Sequence, residues 1–444
     1  MKRIYKPSYL LQSDQFVANA GVLVEAGMIT EVGGIQELTS RQPDAEIIDW
    51  TGLAMLPGTV NSHNHSFQSL LRGLVVDRPF LEWRDQALYR YSPLLSEQDI
   101  YTGALFAFGE MMRYGVTTVC DFFYLHNQGI ASDEAIIQAA KDTGIRLVLA
   151  RTMYDWAGAP GGYRETIEQA VANTRQLAVK YDQNPMVKII PAPHSLHAAS
   201  LEMVKAGHKL ALELGTRMHI HVAEEPFEVE ETMQSHGLTP IELLHKIGVL
   251  DENMVAIHAV WLKAGEIQLM GKKSAKLAYC PSSNMFLADG VTKVIDLMKA
   301  GVVVGLGTDG ACSNNRISIF EEMRMTALLQ KVSLLNATAI SAKQVFSMGT
   351  ANGEELLGIP VGKIEPGYYA DFVGVDTSDL SVQPLFSVNE QLLPNIVYSM
   401  QPNAIDRVVV NGIEQVQSSK LVSIREDDIL NRLQTVAEKF NACK

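Results

Sequence analysis

The chain of 444 residues is poor in the features that would place it in several functional classes. It has four cysteines (Cys120, Cys280, Cys312 and Cys443), far apart and without a C-x-x-C pair. That spacing argues against a disulfide framework or a thiolate zinc site and fits a reducing cytoplasm. No stretch approaches the ~18 uninterrupted apolar residues of a membrane span, and the opening MKRIYKPSYLLQ lacks a signal-peptide core. Basic residues are outnumbered, 37 against 50 acids, for a formal net charge of −13, and they form no cluster. A nucleic-acid partner and an anionic membrane surface are therefore excluded as expectations. Low-complexity tracts and tandem repeats are also missing. With 47% hydrophobic and 20% charged residues, the chain has the balance of a folded protein with a large core.

What is present is a rhythm of short apolar, β-branched runs separated by helical patterns. They fall at 54–61, 116–121, 145–151, 187–191, 217–222, 254–259, 276–280 and 302–307. Near-continuous apolar strands indicate a parallel sheet buried on both faces. The intervals suit a strand plus a crossover helix. SEQDIYTGALFAFGEMMRYG, for example, reads as a Ser-capped amphipathic helix closed by Gly115. The expected class is α/β, a (β/α)8 TIM barrel, with a doubly wound sheet as the alternative on pattern alone. Residues 1–53 and 363–415 read instead as short strands and turns, and 426–441 as a helix. The simplest organisation joins both ends into one small β-sandwich (1–57 and 363–444) beside a catalytic barrel (58–362).

Polar side chains stand where those strands stop: His63 and His65, then Asp121, Tyr124 and His126, then Arg151, His194, His221 with Glu224, His258, Ser282 with Asn284, and Asp309. In a β/α barrel these ends share one mouth, where catalytic groups collect. Eleven histidines supply raw material for metal chemistry, and six of them lie at these ends. In His63-Asn64-His65 the side chains two apart point the same way and can share an ion. His221 adds a third nitrogen and Asp309 an oxygen. That donor set suits Zn²⁺ first, with Fe²⁺ and Mn²⁺ as alternatives. Glu224 is placed to move protons, and His258 to orient water or stabilise charge on it. His219, on the same face as His221, reads as a hydrogen-bonded interior histidine. Gly305-Leu306-Gly307-Thr308-Asp309-Gly310 matches G-x-G-x-x-G, but it comes late in the chain and carries Asp309, so it reads as a strand end and not a dinucleotide turn. Arg84 and Arg151 offer planar donor forks to an acceptor-rich or anionic substrate edge. The aromatics Phe123, Tyr124, Tyr154 and Trp156 could stack on a ring.

The segments LPGTVNSHNHSFQSLLRG, HIHVAEE, AIHA, CPSSNMFLADG, GLGTDGACSNN and GKIEPGYYADFVGVD resemble the amidohydrolase superfamily in its deaminase and chlorohydrolase branch, over nearly the whole chain. The resemblance implies a barrel with a composite β-sandwich and one divalent metal on His63, His65, His221 and Asp309. It implies Glu224 as proton shuttle and His258 as the residue positioning the attacking water. The reaction implied is hydrolytic deamination, in which hydroxide made at the metal attacks a carbon bearing an amino group and releases ammonia. The only lysine on strand four, Lys188, lies early in it, so a mononuclear site is expected. Similarity to adenosine-type, 8-oxoguanine and pterin, and formiminoglutamate deaminases implies substrate contacts from Gln68, Arg84, Tyr124, Arg151, His194, His197 and Ser313. Two positions depart from those patterns: Ser92 stands where nucleoside deaminases carry a ribose-binding glutamate, and His197 where formiminoglutamate deiminases carry an arginine. Chloride release from a triazine, formimino-amino-acid hydrolysis and a non-enzymatic binding role are the alternatives. The partners expected are a small-molecule substrate, water and, from the resemblance, further copies of the same chain.

Overall fold

A computed structural model describes residues 2–442; Cys443 lies outside them. The chain opens with β1 (Lys2–Gln12), β2 (Gln15–Val17), β3 (Ala20–Glu25), β4 (Met28–Gly34) and β5 (Glu46–Pro57). Eight strands follow: β6 (Thr59–Asn64), β7 (Val116–Phe123), β8 (Arg146–Met153), β9 (Val187–Pro193), β10 (Met218–Val222), β11 (Met254–His258), β12 (Lys276–Tyr279) and β13 (Val304–Leu306). The last strands are β14 (Phe372–Asp376), β15 (Ile405–Val410), β16 (Ile413–Gln417) and β17 (Lys420–Leu421).

The fold is α/β with parallel sheets. β6 to β9 form one four-stranded parallel sheet and β10 to β13 a second, each in sequence order. Every residue of β7 and β8 is buried, as their unbroken apolar runs require of strands covered on both faces. The two sheets touch at both margins. His221 N donates to His194 O (2.9 Å) beside the Ser195–His221 parallel bridge, and Asp309 N donates to His63 O (3.1 Å). The helix Glu97–Arg113 follows the pattern read from sequence, with Ser96 and Asp99 completing a capping box and Gly115 beyond its end at φ +79°.

The remaining nine strands form a single sheet in the order β17-β16-β15-β14-β5-β1-β3-β4, with β2 paired to β1. Antiparallel pairing of β14 with β5 joins the two ends of the chain. Two segments read as strand and turn are helical. Ile35–Arg41 packs Leu38 inward, and Val388–Tyr398 buries Leu392, Leu393, Ile396 and Val397. The second case is instructive, because an apolar face at helical spacing outweighs Pro394 within it.

Candidate metal centre and substrate cleft

The polar ends of β6, β10, β11 and β13 converge. His63 Nε2 lies 3.2 Å from His221 Nε2 and 3.4 Å from Asp309 Oδ1, and His65 Nε2 lies 3.2 Å from the same oxygen. Ligands at zinc distances on a tetrahedron stand about 3.3 Å apart; these three pairs match that spacing, and donor nitrogens of His63, His65 and His221 lie within 4.8 Å of one another. The chemistry of the donors agrees. His65 Nδ1 faces Phe122 O (2.6 Å) and His221 Nδ1 faces His194 O (2.9 Å). A carbonyl only accepts, so both Nδ1 atoms carry the proton and both Nε2 lone pairs point inward. Burial holds His63 down at about 3 and His221 well below the usual imidazole range, so these rings are neutral and able to ligate.

Asp309 is presented by a sharp turn. Its own φ is +58°, and a Cβ on Gly310 would fall 1.7 Å from Gln68 Oε1, which is why glycine follows it. Ser283 Oγ (2.6 Å) and Ser313 Oγ (3.0 Å) donate to Asp309 Oδ2, leaving Oδ1 for the histidines. Burial alone would raise this carboxyl, but the imidazoles of His63 and His65 against Oδ1 outweigh it and hold Asp309 well below the carboxylate range. Burial, with Asp289, Asp309 and Glu228 nearby, pushes Glu224 well above that range. Glu224 Oε1 lies 3.3 Å from His258 Nε2. His258 sits at φ +66° and Ala223 at φ +51°, strained turns that aim the two side chains at the centre.

Above these groups opens a cleft. Gln68, Arg84, Tyr124, His194 and His197 line it, with His65, His221, Glu224, His258 and Asp309 at its base. Gln68 Nε2 donates to Tyr124 Oη (2.9 Å). The Arg84 guanidinium lies over the Tyr89 ring (4.7 Å) and pairs with Asp85 (2.8 Å). Phe80, Trp83, Tyr89, Tyr154 and Tyr163 complete an aromatic wall. Of these, only Tyr154 was expected as a stacking residue. Phe123 belongs to the core, and Trp156 lies at the exposed rim. Tyr163 was missed because its loop carries no periodic signal.

Two residues expected against substrate lie elsewhere. Arg151 is fully buried and outside the cleft lining. Its guanidinium reaches Glu165 (2.7 and 2.9 Å) and Asp133 (3.1 Å), beside His126. Ser313 braces Asp309 from behind the cleft and does not line it. Ser92 Oγ is taken up by Tyr163 Oη at 2.6 Å. His219 has the interior role read from sequence, with Nε2 on Leu356 O (3.1 Å). Lys188 lies near the start of β9, outside the cleft.

Residues 54–414 match the amidohydrolase family. The chain belongs to that family. This amidohydrolase is a hydrolase acting on carbon–nitrogen bonds. It is 34% identical over 438 residues to a 5-methylthioadenosine/S-adenosylhomocysteine deaminase of Pyrococcus furiosus, covering 98% of this chain and 100% of the relative. It is 33% identical over 424 residues to a 5'-deoxyadenosine deaminase of Methanobrevibacter smithii, covering 94% and 93%. In fold it is similar to an adenosine deaminase of Xanthomonas campestris with bound zinc (TM-score 0.90, 24% identity, 99% and 98% covered). It is equally similar to a variant of atrazine chlorohydrolase from Arthrobacter aurescens complexed with zinc and atraton (TM-score 0.90, 23% identity, 98% and 99% covered).

Proposed function

We propose that this amidohydrolase is a metal-dependent hydrolytic deaminase that removes an exocyclic amino group from a small aromatic heterocycle, with an aminopurine as the leading substrate. The observation that carries the reading is the 3.2–3.4 Å spacing of donors from His63, His65, His221 and Asp309 beneath an aromatic cleft. These four residues would hold one divalent ion, zinc first. When bound, the ion supplies water of lowered pKa, nucleophilic at neutral pH. Glu224 takes one proton from the attacking water and passes it to the ring nitrogen, then carries the second, from the hydroxyl now on the carbon, to the departing amine. His258 orients the water. Asp309, with one oxygen held by Ser283 and Ser313, keeps its other oxygen fixed at the reacting centre. Tyr124, Tyr154 and Tyr163 pack against the heterocycle and exclude bulk water, while Gln68, Arg84, His194 and His197 hold its polar edge. Deaminase relatives at 33–34% identity support an aminopurine.

The architecture proposed with this chemistry is a (β/α)8 barrel over residues 58–362, built from the two parallel sheets, with residues 1–57 and 363–444 forming a β-sandwich domain and terminal helix. The contacts at both sheet margins and the β5–β14 pairing support it. The free, buried thiols of Cys120, Cys280 and Cys312 support a cytoplasmic setting.

The test is ammonia release by the zinc-loaded protein across aminopurines and their nucleosides, pterins, formimino amino acids and chlorotriazines. Ammonia from an aminopurine is the expected result. Chloride from a triazine with no ammonia from any amine would replace this reading with chlorohydrolysis.

A further inference from the structure

The histidines around this centre do not share one tautomer, and the difference is built by their neighbours. His65 and His221 keep their Nε2 lone pairs inward because their Nδ1 atoms donate to carbonyls. His258 has the opposite partner. Its Nδ1 lies 3.1 Å from Nδ2 of Asn284, and the same Nδ2 lies 3.0 Å from Asp289 Oδ2. An amide nitrogen has two hydrogens and accepts nothing. Both are used here, one on the Asp289 carboxyl and one on His258, so His258 Nδ1 is the acceptor and the ring proton sits on Nε2.

The surroundings hold this arrangement in place. Asn284 and Asp289 are buried. Asp289 N donates to Asn284 O (2.9 Å), and Trp261 Nε1 donates to Asp289 O (2.8 Å). On the histidine, Thr292 Oγ1 fixes the backbone carbonyl at 2.8 Å. His258 Nε2 lies 3.3 Å from Glu224 Oε1, at the edge of the cluster formed with His63 and Asp309.

We propose that Asn284, held by Asp289, is a positioning residue that fixes His258 as the Nε2–H tautomer, making it a hydrogen-bond donor to the attacking water and barring it from acting as a fourth histidine ligand. The proposal deepens the hydrolytic reading of the same site and rests on it, but the tautomer can be read without turnover.

Asn284→Asp is the sharpest test, because a carboxylate opposite Nδ1 accepts its proton and reverses the tautomer at almost unchanged shape. In the zinc-loaded protein with ¹⁵N-labelled histidine, long-range ¹H–¹⁵N correlation should show His258 protonated on Nε2 in the wild type and on Nδ1 in Asn284→Asp. The His258 signals are assigned by their loss in His258→Gln. Zinc content should stay at one per chain and KM within about threefold. The kcat should fall by about 10²-fold or more, as a wrong tautomer costs on the order of 10⁴ in a serine protease triad. Should Asn284→Asp fail to fold, Asp289→Asn, which still accepts from Asn284, is expected to keep the Nε2–H form, and Asp289→Leu to lose it. A wild-type His258 protonated on Nδ1, or a tautomer that Asn284→Asp or Asp289→Leu leaves unchanged, overturns the assignment. A wild-type Nε2–H that reverses as expected, in a protein that releases no ammonia, leaves the assignment standing and removes the deaminase reading.

Discussion

Two clusters of buried polar groups lie at the strand ends of this amidohydrolase, and they differ in one respect. Around Arg151, the carboxylates of Asp133 and Glu165 and the ring of His126 surround a cation that the chain itself provides. Around His63, the inward-facing groups are lone pairs and one carboxylate, with no side-chain cation among them. Burying charge is costly unless it is paired. The first cluster is complete as folded, whereas the second is arranged for a cation from outside. The comparison explains why an arginine at a strand end, read from sequence as a substrate contact, is instead a structural clamp. Glu165 N also bonds Tyr154 O, so the clamp secures the loop that carries two of the cleft tyrosines, Tyr154 and Tyr163.

The largest effect separating the two clusters should come from Asp309→Ala. Zinc content after gel filtration should fall well below one per chain, and ammonia release should drop by about 10³-fold or more, since the groups at such a centre act as a unit. Zinc retained at full stoichiometry would mean that Asp309 is not a ligand. Arg151→Met should act on the other side of the comparison. It strands two buried carboxylates and should cost about 3–5 kcal/mol in a denaturant titration, with zinc content unchanged. Unchanged stability with a raised KM would return Arg151 to the substrate. The smallest effect concerns pH. Burial lowers His219 from 6.5 to about 4. Between those values the unfolded chain binds a proton that the native chain does not, so stability rises with pH across that window and is lost as pH falls. Melting temperatures from pH 4.5 to 6.5 should climb less steeply in His219→Gln than in the wild type; identical slopes would show that His219 is not neutral in the fold.

Much of the site was legible because its chemistry is tied to local spacing. His63 and His65 share a face by strand period, and Glu224 follows His221 by three residues. Asp309 sits in a glycine-rich strand end whose meaning does not depend on distant residues. What could not be read depends on partners far apart in the chain. Arg151 is claimed by Asp133 and Glu165, on either side of β8, and nothing in the sequence says that those carboxylates turn inward. Asn284 acquires its role only because His258, 26 residues earlier, ends an adjacent strand. The helix Val388–Tyr398 was obscured by Pro394, whose local preference lost to burial of the face carrying Leu392 and Ile396.

The sequence by itself determined the order of apolar strands, the scatter of its basic residues and cysteines, and which residue types stand at the strand ends. Those properties follow from composition and from periods of two and 3.6 residues, and both are local. Only the tertiary structure decided which of the gathered polar groups were already paired and which were left facing one another. It also decided that carbonyls face Nδ1 of His65 and His221 and so fix the tautomer of both rings. Charge pairing and hydrogen-bond polarity are settled between atoms that the chain brings within about 3 Å only after it has folded.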